Sequence, residues 1–374
     1  MTGTVRALRV HHIEVDLKRP FVTAIRRATS IEVVLVEALD DSGLHGWGEA
    51  ATSWRVTGES PASVQAAVSG PLGEAVIGRP LDDLATLGSD LAHAAFQNSA
   101  ARSAVECAVQ DLAAARRGLT LGAALGAQRQ RVRTDITLSA AGTDDLVAQA
   151  RQHVGEGFTM LKVKVGGGRD DRQDVLAVRE AIGPGIGLRV DANQAWDVDE
   201  AVEIIWSWER DGVELDLVEQ PVHARDLDGL AAVTARVGTP VLADESVRTT
   251  HDLLQIIDRR AATMVNIKLA KSGGLGEARR MAELAGQHGI GVVIGCMMET
   301  SVGVGAAAAL AASLCEADAA RTHDLDAGLW QAAPVVYGGI RYDGPDVYLS
   351  GESGLGIRGL VTTGQPVEDS APPW

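Results

Sequence analysis

Met160-Leu161-Lys162-Val163-Lys164-Val165 is a short apolar run that carries two lysines two positions apart. In an extended strand such residues share a face, so both ammonium groups project from one side of an otherwise aliphatic strand. Runs of the same β-type character recur at Thr134–Ser139, Gly187–Ala192, Leu215–Pro221, Pro240–Glu245, Met264–Leu269, Gly291–Met297 and Arg321–Asp326. Segments of helical character separate them, among them Asp197–Arg210 and Gly274–Gln287. Eight near-continuous apolar strands alternating with helices imply a parallel sheet closed into a barrel.

Polar residues fall at one end of these runs. Lys164 and Asp191 are 27 residues apart, Asp191 and Glu219 28, Glu219 and Asp244 25, and Asp244 and Lys268 24. One strand–helix unit needs about that much chain. Each of these residues sits at or near the C-terminal end of its strand, the end that carries chemistry in such barrels.

The flanking segments read differently. Ile31–Leu39 alternates like a half-exposed antiparallel strand, and Ser42-Gly43 offers a hairpin turn before Gly46-Trp47-Gly48-Glu49. Ser99–Arg117 has a helical apolar stripe stopped by Gly118. The tail has strand-like pieces at Val335–Tyr342 and Val347–Leu349, expected to pack back onto the first domain. The fold class predicted is α/β: a modified TIM barrel of (β/α)7β type over residues 130–329. An N-terminal α+β capping domain spans 1–129, and a C-terminal segment, 330–374, returns to it.

Composition narrows the function. The 374 residues carry a formal net charge of −16, which argues against nucleic acid and anionic membranes as partners. Three cysteines without CxxC spacing disfavour zinc clusters and disulfide scaffolds. The nine histidines include no strand-end HxH pair for a hydrolytic zinc barrel. The N-terminus shows no apolar signal core, so a cytoplasmic location is expected. The apolar stretch Gly289–Cys315 holds Glu299 and several glycines, which suits a buried strand and an Ala-rich helix better than a membrane span. Gly166-Gly167-Gly168 lacks the Lys-Ser/Thr of a phosphate loop and reads as a plain turn.

In a closed eight-stranded barrel the second and sixth strands are opposed. Lys162 and Lys164 then face Lys268, with Asp191, Glu219 and Asp244 on the arc between them. A lone strand-end Asp is more often a cap than a ligand, but three crowded carboxylates need a neutralising cation. Oxygen-only ligands with room for water suit Mg²⁺, one per subunit, acting as a Lewis acid on a bound carboxylate. The proton beside a carboxylate is very weakly acidic, and its removal gives an enediolate that adjacent cations stabilise. A base must be neutral near pH 7, and Lys162 with the metal is expected to prepare Lys164. Two lysines on opposite faces of one carbon allow one to remove the proton and the other to return it, inverting the centre. Asn193 is either a support for the site or a loop former. Glu245 either pairs with Lys268 or faces a neighbouring helix.

Lys162-Val-Lys164, Asp191-Ala-Asn-Gln-Ala-Trp196, Val218-Glu219-Gln-Pro221, Ala243-Asp244-Glu245-Ser246 and Asn266-Ile-Lys268 resemble the enolase superfamily, muconate-lactonizing subgroup. A lysine base with a Mg²⁺-held ene-diolate is the documented pattern of that superfamily. The resemblance covers essentially the whole chain. It implies that Lys164 and Lys268 transfer the protons, that both termini form a capping domain, and that the chain is a homo-oligomer. The subgroup spans muconate cycloisomerases, o-succinylbenzoate synthases, N-acylamino acid racemases and dipeptide epimerases.

Asp324-Leu-Asp326 on the eighth strand is similar to the Asp-x-Asp of dipeptide epimerases. Two acids at i and i+2 share a face and suit a substrate ammonium; a muconate dianion would be repelled there. Pro20-Phe21-Val-Thr23-Ala24-Ile25-Arg26 is similar to the segment of Ala-Glu epimerases in which an arginine meets the acidic side chain, a role that Arg26 matches. Val56-Thr57-Gly58-Glu59 resembles their second specificity loop. Trp54, Arg55 and Trp330 depart from that pattern, and with Thr57 and Met298 they are candidate substrate contacts. The expected substrate is a dipeptide such as L-Ala-D/L-Glu.

Overall fold

The computed structural model describes residues 3–23, 26–139, 142–166 and 170–361, without the side chains of residues 22–27. Its first element is an antiparallel sheet of β1 (Val5–Thr23), β2 (Arg26–Asp40) and β3 (His45–Ala51) in that order. Gly43, at a φ of 87°, takes the left-handed position of the β2–β3 turn, and Ser42 Oγ donates to Asp40 Oδ1 at 2.8 Å.

Helix Ser99–Arg116 lies on this sheet. Gly48 is required by that contact, because a Cβ there would collide with the Ala104 carbonyl. The central strand β2 is not half-exposed as its alternation suggested. Ile31, Val33 and Leu35 join the core shared with the barrel, while Val34, Val36 and Ala38 join the core under the helix. A strand packed on both faces alternates between two apolar environments rather than between core and water.

Seven parallel strands follow in sequence order: β5 (Ile136–Leu138), β6 (Met160–Lys164), β7 (Gly187–Asp191), β8 (Leu217–Glu219), β9 (Val241–Ala243), β10 (Met264–Lys268) and β11 (Gly291–Gly295). The barrel closes through a short eighth strand, β12 (Thr322–His323), which pairs in parallel with β4 (Arg131–Thr134) just before β5. On its other side Cys296 N donates to Asp324 O at 2.9 Å, and Asp324 N to Ile294 O at 3.0 Å. Among the described residues, seven barrel strands lead into a helical crossover. The eighth leads into a 3-10 turn, Ala327–Trp330. Asp170, Asp197, Asp226 and Thr249 accept from the third residue of their helices, which satisfies otherwise orphaned donors and fixes where each crossover begins.

The strands are shorter than their apolar runs, and the residues beyond their C-terminal ends form the loops over the barrel mouth. The Ala-rich helix Ser301–Ser313 is buried against the barrel and the cap. Glu49 accepts from Thr300 N and Gly303 N at its N-terminus, both at 2.8 Å, so the cap grips the barrel by a buried carboxylate. Among the described residues, no helix is long and apolar enough to cross a membrane.

The tail forms β13 (Val336–Gly338), β14 (Arg341–Asp343), β15 (Asp346–Tyr348) and β16 (Ile357–Leu360). It meets both earlier parts. β15 pairs with β4 of the barrel, and Leu355 N donates to Asp111 Oδ1 of the capping helix at 2.5 Å.

Candidate active site

Parallel register sets the chemistry side by side. Lys164 is the Cα partner of Asp191, and Asp191 that of Glu219. Asp244 follows the last residue of β9, and Lys268 ends β10. β6 and β10 therefore bracket the three carboxylates, with a lysine at each end of the row. Asp191, Glu219 and Asp244 are all buried.

Lysines meet every one of them. Lys162 Nζ lies 3.0 Å from Asp191 Oδ2, 2.7 Å from Glu219 Oε2 and 2.9 Å from Asp324 Oδ2. Lys164 Nζ donates to Asp191 Oδ2 at 2.5 Å, and Lys268 Nζ to Asp244 Oδ2 at 2.9 Å. Lys162 is thus less a partner of Lys164 than the hub joining β6, β7, β8 and the end of β12.

The charge balance follows from burial and neighbours. Burial works against the charged form of Lys268, but Asp244, Glu219 and Asp324 outweigh it and hold the ammonium well above its ordinary range. Lys162 is raised in the same way by Asp191, Asp324 and Glu219. Burial and the charge of Asp191 push Glu219 up to about 7. Burial also opposes charge at Asp324, yet Lys162, Lys268 and Lys164 lower it to about 2.

Sequence reasoning missed the residues behind this row. Lys271, buried on the short helix Leu269–Ser272, donates to Asp244 Oδ1 and to the Asp244 carbonyl. It also donates to Val247 O at 3.2 Å and Asn266 O at 3.1 Å. Its signal was a second lysine three residues past Lys268 in an apolar segment. Asn266 Nδ2 donates to Glu219 Oε1 at 3.1 Å. Gln220 Oε1 accepts from Asp244 N at 2.9 Å and Ser246 N at 3.1 Å. Beyond β11, burial and the charge of Glu49 push Glu299 up to about 8.

The supporting and specificity candidates divide. Asn193, at a φ of 43°, donates its backbone N–H to Asp191 Oδ1 at 2.9 Å and its side chain to Glu245 Oε1 at 3.2 Å. Glu245 therefore accepts from Asn193 and also feels the charge of Lys268, whose ammonium donates to Asp244. Strand eight proper ends at His323, and Asp324 still pairs with Gly295 of β11. Asp324 meets Lys162, while Asp326 opens the 3-10 turn and accepts from Thr137 N at 2.8 Å and Trp330 Nε1 at 3.1 Å.

Trp54, Arg55 and Met298 line one cavity of about 550 Å³, with Trp54 74% exposed. Thr57 turns back to Ser53 O at 3.2 Å and does not line that cavity. Glu59 of the same loop accepts from Ala100 N and Ala101 N, both at 2.9 Å, so that part of the loop caps helix Ser99–Arg116. Arg26 begins β2, but its side chain lies outside the described residues, as do Gly167 and Gly168.

The donor set fits a hard divalent cation. Three buried carboxylates offer oxygen alone, and burial with the neighbouring charge of Asp191 raises Glu219, a cost that a bound cation would relieve. Their oxygens are turned to ammonium groups, and among the described residues no three Asp, Glu, His or Cys side chains already form a metal-holding cluster.

Two family models match the chain in register with these parts. Residues 5–126 match the mandelate racemase / muconate lactonizing enzyme N-terminal domain, and residues 145–359 the enolase C-terminal domain-like family. The chain belongs to this enolase superfamily lineage. Its members include the L-Ala-D/L-Glu epimerase of Bacillus subtilis, 38% identical over 95% of this chain and 96% of that one. The substrate-liganded structure of that epimerase superposes with a TM-score of 0.93, covering 96% of this chain and 100% of the other at 37% identity. A dipeptide epimerase from Enterococcus faecalis V583, complexed with Mg and the dipeptide L-Leu-L-Tyr, gives a TM-score of 0.90 at 35% identity, covering 96% and 99% of the two chains.

Proposed function

We propose that this protein is an isomerase, a dipeptide epimerase that inverts the carbon beside a substrate carboxylate. The observation that carries the reading is the pair Lys164 and Lys268, ending β6 and β10 on either side of Asp191, Glu219 and Asp244. The superfamily relatives named as dipeptide epimerases support it.

Asp191, Glu219 and Asp244 would hold Mg²⁺, which supplies charge neutralisation and Lewis acidity toward the substrate carboxylate when bound. One lysine takes the α-proton from its face of the carbon, and the other returns a proton from the opposite face. The Lys162 ammonium, already seated among carboxylates, stabilises the enediolate charge. Asn193 and Lys271 orient Asp191 and Asp244 through the hydrogen bonds described above. Asp324 and Asp326 present carboxylates to a substrate ammonium, which suits a dipeptide and opposes a muconate dianion. An L-Ala-L-Glu-like dipeptide is the substrate we favour.

The test is incubation with L-Ala-L-Glu and a panel of other L,L-dipeptides in Mg²⁺, followed by chiral chromatography of the hydrolysed products. The expected product carries a D-configured C-terminal residue. Turnover of N-acyl amino acids or muconate with no dipeptide epimerised would overturn the reading.

A further inference from the structure

Lys268 is the Cα partner of Gly295 at the end of β11. The chain after Gly295 therefore leaves the barrel mouth beside the second proposed base. Met297 and Met298 of that loop line the cavity of about 550 Å³ together with the cap residues Ile31, Ser53 and Trp54. The next residue holds the loop in place. Glu299 is 3% exposed. Its carboxyl accepts from Met297 N, and its backbone carbonyl accepts from Gln331 Nε2 at 2.7 Å.

A second buried carboxyl meets Glu299 from the cap. Glu49 accepts from Thr300 N and Gly303 N, both at 2.8 Å, and from Thr300 Oγ1 at 2.5 Å. A Cβ at Gly303 would stand 2.8 Å from Glu299 Oε2 and 3.2 Å from Glu49 Oε2. The two side chains thus converge on the first turn of helix Ser301–Ser313, where glycine leaves them room. Two buried carboxylates so placed are costly when both are charged. Glu49, with three donors, suits the ionised form, which only accepts. Glu299 is left with the proton: burial and the charge of Glu49 push it up to about 8. Lys268 faces it from β10 and opposes the rise. Cys107 of the capping helix, Cys296 and Tyr342 of β14 feel its charge, and burial keeps all three protonated.

We propose that Glu49 and Glu299 hold one proton between them across the joint of cap and barrel, and that neutral Glu299 is a positioning residue for the Met297–Met298 loop against which the dipeptide binds. Loss of the proton sets two like charges against Gly303. Glu299 has fewer donors than Glu49, so it moves and carries the loop with it. The positioning role rests on the dipeptide reading; the shared proton does not.

Infrared difference spectra across pH 7 to 9 test the proton. The wild type should lose a protonated-carboxyl carbonyl band as pH rises through about 8. Glu299→Gln should lack that band, and Glu49→Gln should titrate it at lower pH, because the charge that raises Glu299 is gone. Both variants are first checked for a native circular-dichroism spectrum. The melting temperature of the wild type should also fall more than that of Glu299→Gln between pH 6 and pH 8, where the folded chain keeps a proton that the unfolded chain releases.

KM for L-Ala-L-Glu tests the positioning. The glutamine keeps the shape of Glu299 and cannot ionise, while the substrate amine and the lysines titrate alike in both proteins. Between pH 7 and pH 9 the wild-type KM should rise about tenfold more than that of Glu299→Gln, because only about a tenth of the molecules keep the proton at pH 9. An absent band, or one that titrates alike in the wild type and Glu49→Gln, would overturn the shared proton. Equal pH dependence of KM in the wild type and Glu299→Gln would overturn the positioning role. A wild type that epimerises no dipeptide would overturn the parent reading and the positioning role with it, while the band still decides the shared proton.

Discussion

The Nζ of Lys162 lies 2.9 Å from Oδ2 of Asp324. One bond thus links the second barrel strand to the end of the eighth and joins the carboxylate row to the acids proposed for the substrate ammonium. Lys162 is almost wholly buried, so its charge balances Asp191, Glu219 and Asp324 together.

Replacing Lys162 should therefore unbalance three sites at once. Lys162→Met should lose about 3–5 kcal/mol of stability in EDTA, the scale of breaking a buried ion pair from one side. Mg²⁺ should stabilise the variant more than it stabilises the wild type, because the carboxylates would then lack their internal counter-ion. Urea unfolding with and without Mg²⁺ reads both quantities. Equal stability in EDTA would contradict the hub role.

Lys271 makes a narrower prediction. It holds Asp244 Oδ1 from behind and leaves Oδ2 toward Lys268. Lys271→Met should weaken Mg²⁺ binding about 10- to 100-fold, as loss of a group that orients a ligand commonly does. Isothermal titration of the metal into the protein measures this directly. Unchanged affinity with lowered thermal stability would assign Lys271 to structure alone.

The row itself was legible because its spacing is the length of one strand–helix unit, and that length is fixed by the architecture. What stayed hidden depends on contacts between elements distant in sequence. Lys271 reads as one more lysine until the turn after β10 lays it against the loop after β9. The spacing of Asp324 and Asp326 does not say that one meets Lys162 while the other accepts from Thr137 N and Trp330 Nε1. Ile31–Leu39 reads as half-exposed because an alternation of side chains does not say whether the second face meets water or another core. Glu59 lines the cavity with Trp54, Arg55 and Met298, but its two bonds to Ala100 and Ala101 at the start of a helix distant in sequence are not readable from the loop.

His323 gives a pH prediction. Its Nδ1 accepts from Ile294 N at 3.1 Å. Burial, helped by the charge of Arg189, lowers its pKa from 6.5 to about 3. The folded chain therefore refuses a proton that the unfolded chain accepts below pH 6.5. Stability should fall as pH drops through 6.5 toward 3, at up to about 1.4 kcal/mol per unit for this one group. His323→Asn should flatten the stability profile, so that about 2 kcal/mol less is lost between pH 7 and pH 5 than in the wild type. Parallel slopes for the two proteins in denaturant titrations across that range would contradict a neutral, buried His323.

The central claim is proton transfer by two opposed lysines, and isotope exchange reads it most directly. The protein is incubated with Mg²⁺ and pooled L,L-dipeptides in D₂O, and the masses of the dipeptides are followed. The account predicts a one-unit gain in a subset that includes L-Ala-L-Glu, with epimerisation lowered at least about 10²-fold by Lys164→Ala or Lys268→Ala and abolished by EDTA. No gain in any dipeptide, or full epimerisation with both lysines replaced, would contradict it.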